Sequence, residues 1–293
     1  MNMSVDIESI VENYRKTLLQ TKESLMEIIQ NDIKMKDVDT ELFTSVLEQS
    51  MEKIIQNWLS GRKYIRTLFI NQVMGDIYPQ KTTSLSLSID AFINILDDLL
   101  DENLDKPTKT AYIVEFIRIM AIFTSRISDS VQRERIERCF NKLISIAIGE
   151  TIYRNLIKNE NNTEKLIELV KEVYTYVSLD IDIFIELPLL EMSFEQNEIN
   201  KLVSLGRHFR MLNLIKKDID DIEHDKKSGT DTGVTLALEK DNSKEIINSV
   251  ADKIVSASRQ IFLDKEHQFA DNFKKMIEQE KLEIGKRLEK IKC

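Results

Sequence analysis

Seven glycines and three prolines have to punctuate all 293 residues of this chain. A strand-rich fold needs a tight turn roughly every 8–12 residues, and such turns draw heavily on glycine and proline. That supply excludes an extended β architecture, and it excludes a glycine-rich linker as well. Helices need far less punctuation. The 42% of hydrophobic residues provides material for a large buried core. The fold class that follows is all-α.

The hydrophobic pattern agrees. Ile7, Ile10, Val11, Tyr14 and Leu18 recur every three or four positions, the spacing of one helix face. Similar patterns cover 41–58, 64–75, 84–104, 108–127, 131–158, 163–187, 195–222, 243–260 and 262–291. Gly61, Pro79, Pro107 and the polar stretches 159–163 and 228–235 separate them. The expectation is a single domain over 1–293, a bundle of about ten helices. The segment 222–243 breaks the rhythm and reads as the longest loop, in the position of a lid. Two helices are apolar on several sides, which belongs at the centre of a bundle. One is Ala91–Leu96, running into Asp97; the other is 177–190, interrupted only by Ser178, Asp180, Asp182, Glu186 and Pro188.

A net charge of −9 argues against nucleic acid as a partner. No run of about 18 apolar residues occurs, so no membrane-spanning helix is expected. The first six residues lack the cationic and apolar blocks of a secretion signal, and Cys139 and Cys293 make no disulfide framework. The expected compartment is the cytoplasm. His208, His224 and His267 share no zinc-binding spacing. No G-x-S-x-G, Walker or G-x-G-x-x-G pattern is present.

The chemistry sits in two acidic clusters. Asp97 and Asp101 are four apart, which places both carboxylates on one helix face, with Asp98 about 100° around the axis. Like charges so placed repel unless cations intervene, and a few oxygen ligands with room for water and phosphate suit Mg²⁺. The second cluster runs from Lys216 to Asp225, with Asp218 and Asp221 three apart and Asp221 and Asp225 four apart. An acidic helix end is also what a solvated surface looks like. The apolar run before Asp97 is what sets the first cluster apart.

Asp97-Asp98-Leu99-Leu100-Asp101 resembles the first aspartate-rich motif, DDxxD, of the trans-isoprenyl diphosphate synthases. Gly61-Arg62-Lys63-Tyr64-Ile65-Arg66-Thr67 is similar to a worn GGKRxRP motif, and Lys217-Asp218-Ile219-Asp220-Asp221 to the second aspartate-rich motif with Lys in place of its first Asp. Tyr174-Thr175 stands where the family has Lys-Thr at a kinked helix. The Arg pair that usually follows DDxxD is missing, with only Lys106 nearby. The matches follow the family's order over most of the chain. The resemblance implies an all-α isoprenoid-synthase bundle around a deep apolar cavity, and a homodimer.

It also implies roles. Asp97, Asp98, Asp101, Asp218 and Asp221 would hold Mg²⁺, with Asp97, Asp101 and Asp218 the catalytic carboxylates. Lys63 and Arg66 would bind isopentenyl diphosphate, and the ammonium of Lys217 would meet a phosphate oxygen directly. The expected function is a Mg²⁺-dependent prenyltransferase that condenses an allylic prenyl diphosphate with isopentenyl diphosphate and releases diphosphate. Phe92, five residues before Asp97, stands where the family places an aromatic floor, which sets the product near 15 to 20 carbons. Phe184 and Phe209 are further candidates to face a carbocation. The worn motifs keep alternatives open: a one-diphosphate enzyme (a terpene synthase, or a relative of the bacterial enzymes that prenylate a pheromone peptide), or a non-catalytic partner subunit.

Overall fold

A computed structural model describes residues 65–74, 86, 89–90, 93–94, 130–263 and 268–291. These residues are helical with short connections, and no strand occurs among them. The chain divides into two compact units, Met1–Arg133 and Glu134–Cys293. In the first, α1 spans Ile65–Met74, and Ser86, Ile89, Asp90, Ile93 and Asn94 are helical too.

The later helices are α2 (Ser130–Asn159), α3 (Thr163–Val177), a 3₁₀ turn (Ser178–Ile181), α4 (Asp182–Glu191) and α5 (Gln196–Asp220). There follow α6 (Ile222–Ser228), α7 (Gly233–Leu238), α8 (Ser243–Arg259) and α9 (Gln268–Lys290). No described helix is long and apolar enough to cross a membrane.

α5 organises the second unit: α9, α4, the 3₁₀ turn, α8, α7 and α3 all pack on it. α9 runs in the same direction as α5, with Lys216 bonded to Glu280 at 2.7 Å and Asp220 to Arg287 at 2.7 Å. α8 runs antiparallel to α9, pairing Asp252 with Lys281 and Arg259 with Glu278. α4 packs on α5 at Gly206, where a methyl group would come within 2.1 Å of Ile185 Cδ1. A side chain there would have to push Ile185 out of a close-packed interior.

The sequence reads 163–187 as one helix, and the structure divides it. α3 starts at Asn162, whose side chain accepts from the Lys165 N–H at 3.1 Å, and it buries Leu166, Ile167, Val170, Val173 and Tyr174 on one face. It ends at Ser178, whose hydroxyl donates to the Thr175 carbonyl, a local bond that competes with the α-helical ladder. Pro188 further on cannot donate to the ladder, yet α4 tolerates it near its C-terminal end.

The 222–243 segment is likewise corrected from a loop to two short helices with turns. α6 stops at Gly229, whose φ of 72° is the left-handed conformation that glycine adopts without a Cβ penalty. α7 begins with a reciprocal cap between Thr232 and Thr235. Gly229, Thr232 and Thr235, which resemble loop punctuation, are helix-cap residues.

From Asp182 to Leu189 every residue of α4 is buried, as its apolar composition demands. Its carboxylates are therefore paired. Glu186 accepts from Arg135 of α2 at 2.7 Å and lies 3.6 Å from Lys142. Asp182 accepts from Lys142 and from Arg207 of α5, the latter through Nε at 2.6 Å. Asp180 of the 3₁₀ turn is bridged by Arg210 at 3.2 and 2.9 Å. Breaking a buried pair on one side strands the other charge and costs about 3–5 kcal/mol. Asp182→Ala should cost about 3 kcal/mol by urea unfolding, the lower end of that range, because Lys142 and Arg207 keep 20% and 32% exposure and can turn to water. A loss below about 1 kcal/mol, the usual worth of a surface ion pair, would contradict this account.

Candidate functional site

The site is built from the end of α5 and the end of α3. Asp218 occupies the last turn of α5, between buried Ile215 and Ile219. Tyr174, 2% exposed, donates its hydroxyl proton to Asp218 Oδ2 at 2.6 Å. The Tyr174 hydroxyl oxygen in turn accepts the Val234 N–H, from the first turn of α7, at 3.1 Å. Gly233 makes room for this: a methyl group there would stand 2.8 Å from the Tyr174 ring. The phenol is thus held from two sides, one partner on α5 and one on α7.

The electrostatics follow from burial. Desolvation pushes the Asp218 carboxyl from 3.8 up to about 6; the Tyr174 hydrogen bond and the charges of Lys217 and Arg154 oppose the rise, and the charge of Asp225 adds to it. Burial and the neighbouring Asp218 drive the Tyr174 phenol well above its ordinary range, so it is a fixed donor at neutral pH. Arg154 of α2 is drawn to Glu150, and its buried Nε has no hydrogen-bond partner among the described residues.

The carboxylates of the second acidic cluster do not share one set of partners. Asp218 faces α3, while Asp220 is exposed and bonded to Arg287 of α9. Asp221 is the half-buried junction between α5 and α6, its N–H donating to the Lys217 carbonyl at 2.9 Å. Lys217 itself is exposed. Asp225 is buried at 9% exposure, with its backbone carbonyl taking the Thr230 N–H. Among the described residues no three His, Cys, Asp or Glu side chains gather where a metal ion could sit.

Arg66 has a structural partner. Its guanidinium donates to Asp90 Oδ1 at 3.0 Å and to Asn94 Oδ1 at 3.1 Å, and the Thr67 N–H donates to Asp90 Oδ2 at 3.0 Å. Burial raises the Asp90 carboxyl, and the Arg66 charge opposes the rise. Lys63, Phe92, Asp97, Asp98 and Asp101 lie outside the described residues. Phe184 and Phe209 are buried core residues of α4 and α5. A cleft of about 900 Å³ opens beside Leu156, Ile167 and Leu169, with Glu160, Glu164 and Lys253 at its edge; among the described residues, none of the expected site residues lines it. His208 is half-buried on α5, and burial lowers its pKa to about 4, so it is neutral at pH 7.

Sequence reasoning missed Arg154 and Asp90, and it treated Tyr174 only as a lost lysine. A polar residue inside an apolar run was the available signal for Asp90, between Ile89 and Ala91. Arg154 carried none, because its proximity to Asp218 arises from tertiary packing.

Compared with family models, with curated proteins and with solved structures, the chain matches none.

The raised pKa of Asp218 has a consequence for stability. Its proton is held more tightly folded than unfolded, so ionisation penalises the native state. The penalty is absent below about pH 4, grows as the pH rises through about 6, and is constant above that. Asp218→Asn removes the titration. In chelator-treated buffer, urea unfolding should show the stability difference moving in favour of the variant between pH 4 and pH 7. Parallel pH profiles for the two proteins would contradict the assignment.

Proposed function

We propose that this chain is a divergent isoprenoid synthase, a Mg²⁺-dependent prenyltransferase that joins an allylic prenyl diphosphate to isopentenyl diphosphate. The observation that carries the reading is Asp218: a desolvated carboxylate, hydrogen-bonded by Tyr174, at the end of a helix that buries an apolar face including Leu205, Leu212 and Ile215. It sits at the second position of the sequence that resembles the second aspartate-rich motif, and the DDxxD resemblance at Asp97–Asp101 supports the same reading.

The donor chemistry fits magnesium. A carboxylate oxygen is a hard ligand of the kind Mg²⁺ takes. Asp97, Asp101 and Asp218 are the residues that would hold the ion, with Asp98 and Asp221 as the remaining acidic candidates. When bound, Mg²⁺ neutralises a departing diphosphate and so favours cleavage of an allylic C–O bond. Lys217, exposed beside Asp218, would place its ammonium against a phosphate oxygen. The apolar side chains of the bundle would exclude water from the prenyl chain, and the proposed length limit at Phe92 keeps the product near 15 to 20 carbons.

One observation favours a second reading. Arg66, one of two cations expected to take isopentenyl diphosphate, donates to Asp90 and Asn94. With that cation engaged, an enzyme that ionises a single diphosphate, a terpene synthase or a peptide prenyltransferase, becomes the alternative.

Incubation with Mg²⁺ and dimethylallyl, geranyl or farnesyl diphosphate separates the two readings. Condensation predicts longer prenyl diphosphates and diphosphate release only when isopentenyl diphosphate is present. Release from farnesyl or geranylgeranyl diphosphate alone supports the second reading. Asp218→Asn should lower either activity by at least about 100-fold. Folded protein that turns over no prenyl diphosphate would refute both.

A further inference from the structure

We draw no further inference here: the strongest candidate, the exposed apolar stripe of Ile144, Ile148, Ile152 and Leu156 along α2, carries nothing because nothing in the structure shows what covers it.

Discussion

The second unit depends on the burial of an acidic segment. From Ser178 to Leu189 the chain runs through the core, and Asp180, Asp182 and Glu186 go with it at 4, 2 and 7% exposure. Unpaired, carboxylates so placed would be costly to keep ionised. They are matched by Arg135 and Lys142 from α2 and by Arg207 and Arg210 from α5. The pairs act as a register clamp. Arg207 meets Asp182 while Arg210, about one turn later, meets Asp180, so α5 cannot slide along the segment without breaking both.

The clamp sets the position of the candidate site. Asp218 lies eight residues beyond Arg210, about 12 Å along a straight helix. Tyr174 lies four residues before the 3₁₀ turn that the same clamp holds. Fixing α5 against that turn therefore brings the ends of α3 and α5 together, and Asp218 meets Tyr174. α7, through the Val234 N–H, closes the arrangement from a third side. The exposed Asp220 turns away to Arg287, so one carboxylate of this acidic run is committed to α9. Neighbouring acidic residues in one motif thus have unlike tasks, which charge spacing alone does not distinguish.

Much of the fold was legible, and what escaped did so for physical reasons. Apolar residues at helical spacing outlined α2, α5, α8 and α9 to within a few residues, since that period records which face is buried. The dense apolar run ending at Leu190 announced the buried α4. Its interruption at Ser178 was visible only as a polar residue, because whether a serine back-bonds or faces solvent is decided by its surroundings. In 222–243 the same Gly and Thr residues serve either a loop or helix caps, and the flanking helices decide. Asp218 stood out by its motif, but its partner lies 44 residues away. Arg66 was legible as a cation and illegible as the partner of Asp90, 24 residues on. Pairings across elements are where a linear reading stops.

As proposed, Asp218 would be a magnesium ligand for a bound diphosphate. The most direct measurement is a crystal structure of the chain soaked with Mg²⁺ and pyrophosphate. The expected result is a magnesium ion about 2.0–2.1 Å from an oxygen of Asp218, with the Lys217 ammonium on a phosphate oxygen. Pyrophosphate bound elsewhere, or an Asp218 without a metal in a crystal whose other sites are loaded, would contradict it.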